Sequence, residues 1–148
     1  MNEDRMTIVI GCDHAGYEYK EAVKAALQAE GHTMRDYGTD SSESVDYPDF
    51  VHPVAKAVDE GDASLGVLIC GSGNGVAMTA NKYSNVRAAL CWASDLVSLA
   101  RQHNDANILC IPARFTSVQQ AEQFAKIFLS TPFEGGRHSR RVNKISSC

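Results

Sequence analysis

The chain has 148 residues, 44% of them hydrophobic and 22% charged, a composition typical of one soluble globular domain. The net charge of −4 argues against a nucleic-acid-binding protein, and the absence of any run of ~18 apolar residues argues against a membrane-spanning one. Residues Met1 to Arg5 are polar and acidic, which is not the pattern of a signal peptide.

Short apolar segments alternate with amphipathic segments along the whole chain, with no internal repeat and no domain linker. In chain order they predict strand Thr7 to Gly11, helix Tyr17 to Glu30, strand Thr33 to Tyr37, helix Asp49 to Glu60, strand Leu65 to Cys70, helix Gly73 to Lys82, strand Arg87 to Cys91, helix Asp95 to His103, strand Ile108 to Pro112, helix Val118 to Ser130 and a helical tail within Arg137 to Cys148. Because proline is tolerated in the first turn of a helix, Pro53 is expected in the first turn of the second helix.

This alternation predicts an α/β fold, namely a three-layer, doubly wound, Rossmann-like sandwich with a five-stranded parallel sheet, a C-terminal helical tail and a single domain over residues 1–148. In such sheets, ligands bind beyond the carboxyl ends of the strands. Polar residues follow three of the predicted strands at these ends: Asp13 and His14, Cys70 to Gly75, and Arg114. The clustering predicts a functional site at that edge of the sheet.

The five cysteines are an odd number without close pairs, which predicts neither a disulfide framework nor a zinc site. Free thiols in a reducing cytoplasm fit this pattern best. Cys91 and Cys110 end or interrupt apolar runs and are expected to be packing residues, whereas Cys148 is expected to be exposed.

Cys70 ends an apolar strand and is followed directly by a glycine-rich turn, Gly71 to Gly75. Backbone N–H groups in such a turn attract anions, so an anion-binding region lies beside a thiol that can act as a base. That pair suits proton abstraction from carbon, because the oxyanion that forms needs stabilisation. The alternative for Cys70 is a packing residue, since free cysteine is among the most buried residue types.

Two other functions fit parts of this pattern. The glycine turn has neither the G-x-G-x-x-G nor the P-loop signature. However, Asp95 lies 22 residues after Gly73, where a ribose-binding acid would be expected, so a nucleotide-binding module or dehydrogenase is an alternative function. A thiol redox protein is a second alternative, because the chain has five cysteines, although no C-x-x-C motif is present.

The remaining polar candidates each have a structural alternative. Asp13 could cap a helix, and His103 could complement the dipole at the end of one. Arg137 and Arg141 lie four residues apart and would share one helix face. They could therefore bind a phosphate together, or they could form a solvated chain end.

Six collinear motifs cover nearly the whole chain: Gly11-Cys12-Asp13-His14-Ala15-Gly16, Asp46-Tyr47-Pro48, Cys70-Gly71-Ser72-Gly73-Asn74-Gly75, Ala80-Asn81-Lys82, Arg101-Gln102-His103-Asn104-Asp105 and Glu134-Gly135-Gly136-Arg137-His138. Together they resemble the ribose-5-phosphate isomerase type B family, which also includes galactose-6-phosphate isomerase subunits. The resemblance implies an isomerase of the pentose phosphate pathway that interconverts ribose 5-phosphate and ribulose 5-phosphate through ring opening and an enediolate. It implies neither a cofactor nor a metal.

The resemblance also assigns roles by motif position. Cys70 is implied to move the proton between C2 and C1, and His103 to open the furanose ring. The implied oxyanion hole consists of Ser72 and the amides of Gly71, Gly73, Asn74 and Gly75. The implied substrate ligands are Asp13, Tyr47 and Asn104 for the sugar and His14, Arg114, Arg137 and Arg141 for the phosphate.

Some members of this family carry a glutamate just after the glycine turn instead of the thiol, whereas this chain has Val76 there and a thiol at Cys70. The chain therefore resembles the cysteine-base subgroup. The resemblance further implies a homodimer or a tetramer with sites at the interface, and a tail, residues 137–148, that reaches the partner. A six-carbon sugar phosphate, galactose or allose 6-phosphate, is the alternative substrate.

Overall fold

The computed structural model describes residues 6–147, so the expectations for Met1 to Arg5 and for Cys148 lie outside the described residues. Within them, five parallel strands form one sheet: β1 (Thr7–Cys12), β2 (Thr33–Asp36), β3 (Leu65–Cys70), β4 (Ala88–Leu90) and β5 (Ile108–Pro112). Their spatial order is β2-β1-β3-β5-β4, which places β3 at the centre. The chain leaves β1 towards β2 on one side and reaches β3 on the other, so a topological switch point lies between β1 and β3.

Six α-helices lie in the described part of the chain: α1 (Tyr17–Ala29), α2 (Tyr47–Asp59), α3 (Asn74–Ala80), α4 (Ser94–Asn104), α5 (Val118–Ser130) and α6 (Arg137–Asn143). Helices α1, α4 and α5 pack on one face of the sheet, and α2 and α3 pack on the other. Alternate strand residues supply the two cores; in β3, Ile69 faces the first core and Leu68 the second. The predicted three-layer α/β sandwich is confirmed, and none of the six helices is long and apolar enough to cross a membrane.

The predicted bounds of β3, β5 and α5 match the structure, and those of the other elements, the tail aside, differ by one or two residues at their ends. The prediction for Pro53 was wrong. Because α2 begins at Tyr47, Pro48 occupies the first turn and Pro53 lies inside the helix. The proline removes the backbone donor for the Asp49 carbonyl, which the helix tolerates because Asp49 lies in an exposed first turn.

A buried lysine to which the sequence pattern gave no role fixes the loop after β2. Lys20 lies on α1, and its side chain is 1% exposed. Its Nζ donates to the Asp36 carboxylate oxygens at 2.9 and 2.8 Å and to the Thr39 carbonyl at 2.7 Å. Burial alone would raise the pKa of Asp36, but hydrogen bonds from Lys20 and Lys24 outweigh burial and lower it. The loop that leads to α2 is thus held by an ionised, hydrogen-bonded pair.

We expect Lys20→Met to destabilise the protein by about 3 kcal/mol, because Asp36 and Thr39 lose a buried donor. Lys24→Met is the matched control, since Lys24 also donates to Asp36, at 2.7 Å, from a side chain that is 24% exposed. For this exposed pair we expect a loss below about 1 kcal/mol. Urea unfolding of both variants measures the difference, and equal losses would contradict the role given to the buried lysine.

Candidate active site

The carboxyl ends of β1 and β3 meet at the switch point of the sheet, where the N–H of Asp13 donates to the carbonyl of Ile69 at 3.2 Å. Asp13 is buried, and its Oδ1 accepts from the N–H groups of Ala15 and Gly16 at 2.9 and 3.2 Å. The capping role considered for Asp13 is therefore present. Its Oδ2 makes no hydrogen bond within residues 6–147 and is not fully buried, so it is available to a hydroxyl group.

Cys70 is the last residue of β3, is 5% exposed, and leads directly into the glycine turn. Gly73 has a φ of 77°, which glycine adopts without a steric penalty and which turns the chain into α3. The N–H of Asn74 donates to the Ser72 hydroxyl at 3.3 Å. Within residues 6–147, the N–H groups of Ser72, Gly73 and Gly75 donate to no protein acceptor. The turn therefore offers free donors to an oxyanion that forms beside the thiol.

The other three cysteines of residues 6–147 are also buried and unbridged. Burial raises the pKa of Cys12 and of Cys91 to about 12. Burial also raises the pKa of Cys110 well above its usual value. These thiols stay protonated at neutral pH, which excludes them as bases. The packing role expected of Cys91 and Cys110 is confirmed.

Two further candidate side chains, His14 and Arg114, lie just beyond the carboxyl ends of β1 and β5. The Nδ1 of His14 accepts the N–H of Val45 at 3.2 Å, so a neutral imidazole carries its proton on Nε2 and can donate it to a ligand. The N–H of Arg114 donates to the carbonyl of Gly71 at 2.9 Å. The Arg114 side chain also passes over this residue, because a Cβ on Gly71 would lie 3.0 Å from Nε. The Arg114 side chain can therefore reach an anion at the turn.

Aromatic side chains also border the turn. The ring of Tyr47 packs on Gly75, where an added Cβ would lie 2.5 Å from a ring carbon, so only glycine fits there. Trp92 and Phe115, to which the sequence analysis gave no role, are 58% and 73% exposed. Together with Ser72 and Pro112 they line a pocket of about 280 Å³. We call the residues gathered at this edge the thiol-edge group: Asp13, His14, Tyr47, Cys70 to Gly75 and Arg114.

The other predicted site residues lie at the opposite edge of the sheet. Helix α4 begins beyond the carboxyl end of β4 and runs back for about 16 Å, at about 1.5 Å per residue, to the amino end of β5. Its last turn carries His103 and Asn104. Helix α6 packs on this end of α4 and carries Arg137 and Arg141, which are both exposed. We call these four residues the helix-end group.

One chain does not bring the two groups together. Within residues 6–147, no hydrogen bond or ion pair connects them. The four predicted phosphate ligands are therefore divided, with His14 and Arg114 at one edge and Arg137 and Arg141 at the other. A cavity of about 850 Å³ opens at the amino ends of the strands, but none of the predicted site residues lines it.

His103 has two close neighbours to which the sequence analysis gave no role. Its ring stacks on that of His138, with the ring centroids 4.2 Å apart and the planes 14° apart. The Oε1 of Glu134 lies 3.8 Å from the Nε2 of His103 and 3.5 Å from that of His138. Glu134 follows His103 by 31 residues, so no spacing signal could have indicated this contact.

These three side chains also form a group of possible metal ligands, whose ligand atoms lie within 4.8 Å of one another. Imidazole binds a metal through a lone pair in the ring plane, and two parallel ring planes do not meet at one ion. The stacked arrangement therefore fits a shared metal poorly.

The sequence matches the Ribose/Galactose Isomerase family over residues 8–145. Ribose-5-phosphate isomerase B of Escherichia coli (strain K12) is 40% identical over 140 residues, which are 95% of this chain and 94% of that protein. A solved ribose 5-phosphate isomerase of Thermotoga maritima has a TM-score of 0.94 and 46% identity, covering 97% of this chain and 99% of that one. The structure of ribose-5-phosphate isomerase B of Mycoplasma genitalium with bound ribulose 5-phosphate has a TM-score of 0.92 and 40% identity, covering 95% and 94%. The resemblance seen in the motifs is confirmed: this chain belongs to the Ribose/Galactose Isomerase family.

Proposed function

We propose that this protein interconverts ribose 5-phosphate and ribulose 5-phosphate, without a cofactor, by moving one proton between C2 and C1. The observation that carries the proposal is the Cys70 thiol beside the free N–H groups of the turn Gly71 to Gly75. Membership of an isomerase family supports the reaction class. The relative from Mycoplasma genitalium, solved with ribulose 5-phosphate bound, supports the substrate.

The proton transfer runs through an enediolate. In the open-chain aldose, the Cys70 thiolate takes the proton from C2, and the electron pair of that C–H bond forms the C1–C2 double bond. The carbonyl oxygen O1 takes up the negative charge, which the N–H groups of the turn and the Ser72 hydroxyl stabilise. The thiol delivers a proton to C1, the O2 hydroxyl proton passes to O1, and C2 becomes the ketone. Atoms and electrons balance within the sugar.

The thiol-edge group also supplies substrate binding. The free Oδ2 of Asp13 accepts from a sugar hydroxyl, and Tyr47 bounds the sugar at Gly75. The His14 Nε2–H and the Arg114 guanidinium bind the phosphate. Because the phosphate is remote from the reacting carbons, its binding energy orients the sugar against the thiol.

We further propose that the active unit is a homodimer with shared sites. The helix-end group of one copy would complete the thiol-edge group of the other. In the shared site, His103 opens the furanose ring and Asn104 hydrogen-bonds to a sugar hydroxyl. Arg137 and Arg141 bind the phosphate. The separation of the two groups at opposite sheet edges supports this arrangement. A two-fold symmetric dimer presents each surface twice and so forms two equivalent sites.

In this proposal residues 1–148 form a single domain, and the tail that begins at Arg137 is its contribution to the partner subunit. A cytoplasmic location follows from the chemistry, since Cys70 acts only as a reduced thiol. The four unbridged cysteines within residues 6–147 support that location.

The test is to mix the purified protein with ribose 5-phosphate in the presence of a chelator and to follow ribulose 5-phosphate. We expect turnover at a rate of ordinary enzymes, ~1 to 10³ s⁻¹. Allose 6-phosphate and galactose 6-phosphate are assayed in parallel. Faster turnover of a six-carbon substrate would overturn the five-carbon assignment but keep the isomerase, whereas no turnover of any of the three would contradict the proposal.

A further inference from the structure

The end of α4, where His103 lies, is anchored to the segment that follows α5. Arg101 donates from Nε to the carbonyl of Thr131 at 3.0 Å. The N–H of Glu134 donates to the carbonyl of Gln102 at 3.0 Å. These bonds fix the backbone beside His103, so the direction of its ring depends on side-chain contacts.

Two side chains provide those contacts. His138 is 11% exposed, so its ring is a fixed surface on which the His103 ring stacks. Glu134 places one carboxylate oxygen near the Nε2 atoms of both rings. Neither ring nitrogen of His103 makes a hydrogen bond within residues 6–147, and its side chain is 39% exposed. The imidazole is therefore supported on one side and open to a ligand.

We propose that Glu134 and His138 are positioning residues for His103. The ring of His138 sets the plane of the imidazole, and the Glu134 carboxylate directs Nε2–H towards itself, which leaves the unprotonated Nδ1 for the sugar. The separation of 3.8 Å between Glu134 and His103 is longer than a hydrogen bond, as in many catalytic pairs before the substrate binds. The inference rests on the proposed function, because ring opening is the step that uses His103.

The step that His103 performs then balances as follows. Nδ1 takes the proton of the C1 hydroxyl, the C1 carbonyl forms, and the bond from C1 to the ring oxygen O4 breaks. The proton passes from Nδ1 to O4, which becomes a hydroxyl. Because the imidazole must reach two oxygens in turn, a misdirected ring would slow this step while leaving the proton transfer at Cys70 intact.

Two rates distinguish positioning from simple packing of α6 on α4. Conversion of ribose 5-phosphate begins from a closed ring, whereas exchange of the C1 proton of ribulose 5-phosphate with D₂O begins from an open chain and needs Cys70. For His138→Ala and Glu134→Ala we expect kcat of conversion to fall by ~10-fold or more, but by less than the ~10²- to 10⁴-fold expected for complete loss of a general acid–base catalyst. The rate of exchange should stay within about threefold of that of the unmodified protein.

Conservative variants provide a rescue. His138→Phe keeps a ring that can stack, and Glu134→Gln keeps an oxygen that can accept from Nε2. We expect the conversion rate of each conservative variant to be at least about threefold higher than that of the corresponding alanine variant. Asn143→Ala, at an exposed position of α6, the helix that carries His138, is the matched control and should change neither the conversion rate nor the exchange rate.

The outcomes separate the two levels of the proposal. A fall in both rates together would reduce Glu134 and His138 to packing residues, and unchanged rates would remove any role in positioning; either result overturns the inference. If the unmodified protein neither converts ribose 5-phosphate nor exchanges the C1 proton, the proposed function itself fails.

Discussion

Replacing Cys70 with alanine is expected to remove the isomerisation of ribose 5-phosphate almost completely. A positioned general base is worth ~10²- to 10⁴-fold, and here one thiol both removes and returns the proton, so we expect the upper end of that range. Ribitol 5-phosphate, which has no carbonyl group, should still bind within about threefold, because the phosphate ligands are unchanged. Steady-state kinetics and calorimetry measure the two effects.

Cys91→Ala is the matched control for this variant. Cys91 is also buried, and burial raises its pKa to about 12, so its thiol is not a base at neutral pH. We expect this variant to keep its kcat even where the lost packing lowers stability by about 1 kcal/mol. Full activity of Cys70→Ala, or an equal loss in both variants, would refute the thiol mechanism.

Mixing two inactive variants is expected to restore activity if the sites are shared. Cys70→Ala removes the base from the thiol-edge group, and His103→Asn removes the ring-opening group from the helix-end group. In a dimer that pairs one of each, one site carries both changes and the other carries none. Random pairing of equal amounts should therefore give about a quarter of the unmodified activity. Co-expression with two affinity tags, followed by the conversion assay, measures it.

The double variant Cys70→Ala/His103→Asn, mixed with Cys70→Ala, is the control for this experiment. No site in that mixture has a thiol, so no activity should appear whatever the pairing. Absence of recovery in a verified mixed dimer of the two single variants would show that each chain holds a complete site. That result would contradict the proposed sharing and leave the role of Cys70 untouched.

The bounds of the central strands could be predicted from the sequence because both faces of these strands are buried. Strands β3 and β5 are covered by helices on both faces, so they are continuous apolar runs, each of which begins directly after a polar residue, Ser64 or Asn107. The bounds of α5 were predicted equally well, because Ser117 and Gln120 form a capping box that marks its start.

The bounds of α2 and the burial of Lys20 depend on contacts with distant segments of the chain, which a local sequence pattern does not show. Helix α2 begins two residues before its predicted start and contains Pro53 in its interior, while its buried face packs in the second core against the sheet. Lys20 is buried although lysine is mostly exposed, because Asp36 and the Thr39 carbonyl compensate its charge. Both partners come from another segment of the chain, and no spacing rule connects them.

The family, the α/β class and most of the thiol-edge group could be predicted from the amino-acid sequence alone. Residues at or just beyond the carboxyl ends of parallel strands must meet at one edge of the sheet, so Asp13, Cys70 and Arg114 could be placed together from their positions in the chain. The packing of α6 on the end of α4, where His138 stacks on His103 and Arg137 lies at the opposite edge, could not be predicted from the sequence. Such contacts join segments about thirty residues apart, and they depend on the packing of the whole fold rather than on any local pattern.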